Sequence, residues 1–311
     1  MRVTQNMMSQ QFLYDLTNLN TTMLNQENQI STGKTLNLPS DNPLGVSQDM
    51  MTSNLLSQTK LYTNTISQGL SWMQSTNSVM TEISQSLQSI QTDVMTALNT
   101  PNQSQAGKQA LSASVQEYAQ QIYTLLNTQQ GDQYLFGGSA STTPPSITTT
   151  ITSANDLGLT LSSSVGLTGS LQYQVAQGVE ISVNISAYDI LATPLSGSSN
   201  NLQTTLQQVG IDIASGTETN LQSDLQSIQS AMNNVTSLTS DLGARMQRMT
   251  ALQTQMSQYT NVLTNQKGVI EDANMAQVIT QFNSDQISYQ AALKMGSQIL
   301  LPSLVSYLPN G

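Results

Sequence analysis

Carboxylates are the only side chains that could do acid–base chemistry near neutral pH here, because the 311 residues include neither histidine nor cysteine. The absence of histidine excludes a Ser-His-Asp triad and the commonest metal ligand. The absence of cysteine excludes disulfides, thiol nucleophiles and iron–sulfur clusters. The one adjacent acidic pair is Glu271 and Asp272, and successive helical residues point about 100° apart. We interpret this pair as a solvated acidic turn, and we expect no enzymatic activity, no catalytic residue, no metal site and no cofactor.

The charge balance narrows the possible partners. Eighteen acidic and eight basic residues give a formal net charge of -10. Eight scattered cations make a poor surface for polyanions, so we expect neither nucleic acid nor acidic lipid as a partner. No apolar run approaches the length that spans a bilayer, so we expect no membrane insertion. The first residues lack a continuous apolar segment, so a cleaved secretory signal is not expected.

Long helices are predicted where proline is absent, which is the case for residues 44–100 and 195–301. Apolar residues recur about every 3.5 residues from Leu221 to Leu263, a spacing typical of coiled coils. Residues 73–98 carry the same stripe, and a shorter helix is predicted at 104–127. We predict that the two stripes pack on each other as a rod. Its core is assigned to Leu225, Ile228, Leu242 and Leu252.

The two ends of the chain carry thinner apolar stripes, which predict amphipathic helices without a local partner. Such helices bury little apolar area against the cost of ordering the chain. We therefore expect them to be mobile in the monomer and to become helical when neighbouring copies surround them. The predicted assembly interface consists of Phe12, Leu16, Leu19, Met23, Ile30, Phe282, Tyr289, Leu293 and Leu300.

The middle of the chain is rich in Gly, Ser and Thr and alternates between apolar and polar residues. Leu171, Tyr173 and Val175 predict one strand, residues 179–185 predict a second, and 176–178 predict the turn between them. Tyr134 to Gly138 predicts an earlier strand. We interpret this region as an outward-facing insertion that the rest of the fold does not need.

These patterns define a mainly α fold: a coiled-coil rod of long helices from both chain ends, with a small β-rich insertion domain. The predicted divisions are an N-terminal assembly helix at 1–40, the N-terminal half of the rod at 41–136, the insertion at 137–203, the C-terminal half of the rod at 204–274 and a C-terminal assembly helix at 275–311. Within this scheme Pro39 to Pro43 predicts the start of the long helix, with Ser40 or Asp41 as its cap and Pro43 in its first turn.

Several short motifs resemble the flagellin family. They are Met1–Gln5, Gln29–Lys34, Pro39–Pro43, Tyr134–Gly138, Gly243–Met246 and Glu271–Asn274. The resemblance covers about residues 1–138 and 205–311. The forms Ser-Thr-Gly-Lys and Pro-Ser-Asp-x-Pro are similar to those of family members at the junction between the hook and the filament.

The resemblance implies a structural protein of the bacterial flagellum, secreted unfolded through the flagellar type III system to the hook–filament junction. Copies of such a protein form a short helical layer between hook-associated protein 1 and flagellin, with their terminal helices paired. A flagellar export chaperone is the implied partner of the C-terminal region. The residues leave three alternatives open: flagellin itself, a needle-tip or translocator protein of type III secretion, and an enzyme that uses carboxylates of the insertion.

Overall fold

The long proline-free stretches become long helices, which dominate the architecture. The computed structural model describes residues 2–40, 42–100, 104–145, 147–153, 156–161, 168–195 and 200–300. The helices are α1 (Arg2–Thr32), α2 (Pro43–Asn99), α3 (Gln105–Leu126), α4 (Ala187–Leu191), α5 (Leu202–Ser215), α6 (Glu218–Glu271) and α7 (Met275–Leu300). The strands are β1 (Gln129–Gln130), β2 (Gln133–Tyr134), β3 (Ile147–Ser153), β4 (Asp156–Leu161), β5 (Gln172–Ala176) and β6 (Val179–Ser182). The predicted mainly α class with a small strand-containing insertion is confirmed.

The start of α2 shows how local sequence fixes a helix boundary. The Asn42 side-chain oxygen accepts a hydrogen bond from Gly45 N at 3.0 Å, and Pro43 occupies the first helical position. Asn42 is therefore the cap, because it satisfies an N–H that has no partner within the helix. The prediction of a cap at Ser40 or Asp41 is wrong, and Asp41 itself lies outside the described residues.

Contacts divide the chain into two compact units. The terminal unit comprises residues 1–58 and 259–311, and the central unit comprises residues 59–258. Helices α2 and α6 contribute residues to both units. These limits differ from the five divisions predicted from the sequence, which remain a proposal.

The core of the central unit follows the predicted stripes. On the part of α6 that lies in the central unit, the buried large hydrophobic residues recur every seven residues, at Leu221, Ile228, Val235, Leu242 and Met249. A repeat of seven keeps one face of a helix against its partner. On α2 the buried positions alternate by threes and fours: Met73, Thr76, Met80, Ile83, Leu87, Ile90 and Val94. The structure places Ile228 and Leu242 in this core, and Leu225 and Leu252 half-buried against it.

A separate helix, α5, precedes the long helix α6 and was not foreseen in the sequence. Asn201 and Thr204 form a capping box at its start, and it ends at Gly216 with a left-handed φ of 70°. That conformation favours glycine and stops a helix. Helix α5 packs against α3, where Ser112 Oγ donates to Gly210 O at 2.7 Å. Residues 204–274 are therefore not one uninterrupted helix.

The insertion is less regular than its alternation predicts. Among the described residues, two two-stranded antiparallel sheets, β3–β4 and β5–β6, form within the insertion, and a third, β1–β2, lies just before it. Strand β6 ends at Ser182 rather than near 185, because the Asn184 side chain accepts from Leu171 N at 2.7 Å and donates to Gly169 O at 3.0 Å. Beyond Ser182 the backbone pairing continues with the bond from Val183 N to Leu171 O at 3.0 Å, and Ser186 then caps α4. The turn is also shorter than predicted, since Ala176 pairs with Val179.

Apolar residues of the insertion belong to the same core as the long helices. They are Val175, Ile181, Val183, Ile185, Ala187, Ile190, Leu191 and Leu195. The predicted strand at Tyr134–Gly138 is reduced to its first residue, and Leu135 and Phe136 are instead fully buried. Polar contacts to α6 reinforce the attachment: Asn234 Nδ2 donates to Asp189 O at 3.1 Å, and Arg245 Nη1 donates to Ser182 O at 3.4 Å. The insertion therefore contributes apolar residues to the central core, which favours the opposite prediction, that the fold needs it.

Candidate assembly interface

Exposed apolar side chains are concentrated in the terminal unit. Among the described side chains, 20 large hydrophobic ones are exposed, and 17 of these lie in the terminal unit. The three in the central unit are Leu61, Met95 and Tyr188. Of 36 buried hydrophobic residues in the same described set, only Leu263 lies in the terminal unit. The terminal unit thus has little core of its own and a large apolar surface, which is the character of an interaction surface.

Helices α1 and α7 pack against each other within the terminal unit. Their less exposed positions alternate by threes and fours: 12, 16, 19, 23, 26 and 30 on α1, and 275, 278, 282, 285, 289, 292 and 296 on α7. This spacing is that of a coiled-coil seam. Phe12 lies over Gly296, where an added β-carbon would come within 2.6 Å of the Phe12 ring. Glycine at 296 therefore permits the close approach of the ring.

A polar contact lies in this seam. The Gln26 amide Nε2 donates to Asp285 Oδ2 at 2.7 Å, and Gln26 is buried. Polar residues at seam positions fix the register of paired helices because a shift would leave them buried without a partner. Asp285, a polar residue at a seam position of α7, therefore contacts α1.

The predicted assembly residues fall into three groups in the structure. Phe12, Leu16, Leu19, Met23, Ile30, Phe282 and Tyr289 are half-buried on the seam positions of α1 and α7. Leu293 is exposed. The side chain of Leu300 lies outside those described, as do residues 301–311 of the predicted C-terminal helix. Their part in assembly stays a prediction.

Other apolar side chains of the terminal unit face outward and were not predicted. On α2 they include Met50, Met51 and Leu55, and on α6 they include Val262 and Val269, which is 88% exposed. Periodic spacing identifies the apolar residues on the face of a helix that packs on a partner helix. It does not identify apolar residues on the opposite face. The sequence signal that could have indicated this exposed surface was the number of large apolar residues outside the periodic stripe near 44–55 and 259–270.

The segments before α2 and after α6 pair with each other. Thr35 N donates to Glu271 O at 2.7 Å, and Ala273 N donates to Gly33 O at 2.9 Å. Gly33 has a φ of 71°, a left-handed conformation that ends α1 and that an L side chain rarely adopts. Two motifs more than 230 residues apart in sequence, Gln29–Lys34 and Glu271–Asn274, thus meet in the fold.

Charged side chains surround this pairing. Lys34 Nζ lies 3.1 Å from Glu271 Oε2, and Lys267 Nζ lies 3.8 Å from both Glu271 Oε2 and Asp49 Oδ1. Lys267 also donates to Ser53 Oγ at 2.8 Å. We call Lys34, Asp49, Lys267 and Glu271 the ionic clasp. Glu271 is only 14% exposed, so the prediction of a solvated acidic turn is wrong for Glu271, while Asp272 is exposed.

The described residues hold no group of three or more His, Cys, Asp or Glu side chains that could bind a metal ion. None of the described helices is long and apolar enough to cross a membrane. The geometry of the terminal unit supports packing against other protein surfaces.

The described structure is thus mainly α, with long helices α2 and α6 and with α1, near the start of the chain, packed against α7, near its end. Two family models match the chain, the N-terminal helical region of bacterial flagellin at residues 3–141 and the C-terminal helical region at residues 225–308. Together they cover more than half of the 311 residues. The chain belongs to the flagellin family. This is a family of structural proteins of the bacterial flagellum, not of enzymes.

Two curated relatives are similar to the chain, and both are called flagellar hook-associated protein 3. The one from Escherichia coli (strain K12) is 29% identical over 146 residues, which is 47% of this chain and 46% of the relative. The chain thus spans about half the length of that relative in the match. The one from Salmonella typhimurium is 23% identical over 321 aligned positions, covering 94% of this chain and 95% of the relative.

Solved structures share the fold. A flagellar hook-associated protein from Vibrio parahaemolyticus superposes with a TM-score of 0.62 at 19% identity, covering 74% of this chain and 99% of that one. A flagellar hook-associated protein-3 from Legionella pneumophila gives a TM-score of 0.59 at 14% identity, covering 70% and 97%.

Proposed function

We propose that this chain is a subunit of the hook–filament junction of a bacterial flagellum. Copies assemble through their terminal units into a short helical layer, with hook-associated protein 1 on one side and flagellin on the other. The concentration of exposed apolar side chains in the terminal unit carries this proposal. The names of the relatives from Escherichia coli and Salmonella typhimurium support the location.

The physical argument is that the terminal unit is incomplete alone. Fully burying a large apolar side chain contributes about 1.5–3 kcal/mol, and 17 such side chains of this unit remain exposed. Copies packed side by side would cover them. The α1–α7 seam and the ionic clasp set the relative positions of the helices that carry these side chains. Secretion through the flagellar type III system and a chaperone bound at the C-terminal region complete the proposal.

A matched pair of methionines on one helix tests the proposal. Met51 in the terminal unit and Met95 in the central unit are both exposed on α2. In a host bacterium that lacks its own junction protein, Met51→Lys should be exported but fail to incorporate, because a charge replaces an apolar contact. Met95→Lys should incorporate normally. Removing residues 286–311 should also abolish incorporation and filament growth while leaving the melting of the central unit nearly unchanged.

Labelled electron microscopy provides the readout. Gold-labelled antibody against the wild-type chain should mark one narrow band between hook and filament. Label along the whole filament would identify a filament subunit instead. Normal incorporation of Met51→Lys would contradict assembly through the exposed face of the terminal unit.

A further inference from the structure

Methionine is the only sulfur-containing residue type of the chain, which has 15 methionines and no cysteine. A peroxide oxidises either a cysteine thiolate or a methionine thioether, and it attacks exposed sulfur atoms first. Because cysteine is absent, the exposed thioethers are the sulfur atoms that an oxidant reaches in the folded chain. The positions of the exposed methionines therefore determine where mild oxidation changes the protein.

The exposed methionines are concentrated in the terminal unit. Among the described side chains, six methionines are exposed, and five of these belong to the terminal unit: Met7, Met8, Met50, Met51 and Met295. Met95, the sixth, lies in the central unit. Three others, Met73, Met80 and Met249, are fully buried in the core of the central unit. Mild oxidation should consequently modify the surface of the terminal unit and leave the core intact.

Met51 is distinguished from the other exposed methionines by its surroundings. Together with Leu55 of α2 and with Val269 and Ile270 of α6, it lines an open groove of about 440 Å³ in the terminal unit. Its side chain is 66% exposed. A thioether loses little when a neighbouring apolar surface covers it, whereas the oxygen of a sulfoxide has to give up its hydrogen bonds with water. The oxidation state of Met51 therefore changes what the groove can pack against.

We propose that Met51 is an oxidation site at which a peroxide blocks assembly of the chain without unfolding it. This rests on the proposed function, in which neighbouring copies cover the exposed apolar side chains of the terminal unit. The Met51 sulfur attacks one oxygen of hydrogen peroxide, so that an S–O bond forms and the O–O bond breaks. The departing hydroxide takes the hydrogen of the transferred oxygen and leaves as water. The thioether is thereby oxidised to a sulfoxide, and the peroxide is reduced to water.

The sulfoxide at Met51 acts on association and not on the fold. In the free chain the side chain lies mostly in water, so a more polar group there changes stability little. In an assembled layer the same side chain is covered, and the polar group opposes that contact. Oxidised chains are thus excluded before they are built in, while chains already built in shield Met51 from the oxidant. Sulfoxide reductases restore the thioether, so the block is reversible.

Oxidation of the full wild-type chain tests the site directly. The purified chain is treated with hydrogen peroxide until about one methionine per chain is oxidised, and it is then offered to cells that lack their own junction protein. Mass spectrometry of peptides measures the sulfoxide at each methionine in the incorporated and the free chains. The sulfoxide at Met51 should be about tenfold lower in the incorporated chains, equivalent to about 1.4 kcal/mol. The sulfoxide at Met95, the control on the same helix, should be equal in both.

Two further measurements separate the site from the rest of the chain. The melting midpoint of the oxidised chain should stay within about 2 °C of the untreated value, because exposed positions contribute little to stability. Met51→Leu removes the sulfur and keeps an apolar side chain. The same peroxide dose should lower its incorporation less than that of the wild type, when each is compared with its own untreated sample. Sulfoxide reductase with a dithiol should restore incorporation of the oxidised wild type.

Equal sulfoxide at Met51 in incorporated and free chains overturns the inference, and so does a melting midpoint that falls by several degrees. Oxidation of the buried Met73 as fast as Met51 overturns it as well. If Met51→Leu does not incorporate even untreated, the comparison of fractions in the wild type still decides. If the untreated wild type does not incorporate, the proposed function itself fails. Incorporation of the untreated wild type with equal Met51 sulfoxide in both fractions leaves the proposed function standing and removes only the oxidation site.

Discussion

Helices α2 and α6 run through both units, but their apolar residues are mostly buried in the central unit and often exposed in the terminal unit. In the central unit the apolar residues of α2 and α6 face inward onto α3, α5 and the insertion. In the terminal unit the same two helices carry exposed apolar residues such as Met51 and Val269. A coiled-coil pattern therefore does not indicate by itself whether the partner of a helix lies in the same chain. Whether the apolar residues are buried depends on how many other elements of the same chain surround the helix.

This comparison assigns stability to the central unit and association to the terminal unit. Stability depends on area removed from water within the chain. In the described part of the terminal unit, Leu263 is the one buried large hydrophobic residue. The same type of substitution should consequently lower the melting midpoint when it is made in the central unit and weaken assembly when it is made in the terminal unit.

Deleting the insertion should have the largest effect on stability. Removing residues 141–199 takes eight apolar residues out of the central core. At about 1.5–3 kcal/mol for each large side chain, the loss matches or exceeds the whole stability of a typical domain, about 5–15 kcal/mol. We expect the deletion variant to lose its cooperative unfolding transition in calorimetry. An unchanged midpoint would restore the interpretation that the insertion is dispensable.

Truncation of one core leucine should have the next largest effect. Leu242 is fully buried on α6, so Leu242→Ala should cost about 2–5 kcal/mol in denaturant unfolding. Val269→Ala on the same helix is the control and should change stability by less than about 0.5 kcal/mol, because Val269 is exposed. We expect Val269→Ala to weaken self-assembly, whereas a folded Leu242→Ala should assemble. Equal stabilities for the two variants would remove the distinction between the units.

Glycine substitutions should act in opposite directions in the two units. At Gly296 an added methyl group meets the Phe12 ring, so Gly296→Ala should destabilise the α1–α7 seam by about 1–3 kcal/mol. Gly243 on α6 has open space around the same position, so Gly243→Ala should stabilise the helix by about 0.5–1 kcal/mol. Amide hydrogen exchange of α1 and α7 measures the first effect, and the melting midpoint measures the second. Slower exchange in Gly296→Ala would contradict the close packing.

Much of the helical fold could be predicted from sequence because helix periodicity is a local signal. The bounds of α2 and α3 fall within one residue of the predicted ones, and the core positions of α6 follow the predicted spacing. The strands were predicted less well. Strand β6 ends early because Asn184 bonds backbone groups 13 and 15 residues away, and alternation carries no information about such bonds.

The candidate site could be predicted only in part. The stripes of α1 and α7 were predicted as contacts to neighbouring copies, and most of their residues lie on the seam between these two helices within the chain. The partner of Glu271 did not follow from spacing. Lys34 lies 237 residues away in sequence, and nothing local to either residue indicates the pair. The burial of Asp212 and Asp224 was likewise not foreseen, because burial depends on how helices from distant parts of the chain pack together.

The ionic clasp should show the smallest effect. Lys34 is 45% exposed, and ion pairs this close to solvent contribute about 0–1 kcal/mol. Lys34→Met should therefore reduce stability slightly, and because salt screens the charges, the difference from wild type should shrink at high ionic strength. Backbone bonds from Thr35 and Ala273 remain, so amide exchange at these two residues should rise only modestly. Lys60→Met, at an exposed lysine of the central unit, is the control. A loss above about 2 kcal/mol in Lys34→Met alone would show that charge, rather than backbone pairing, joins the two ends of the chain.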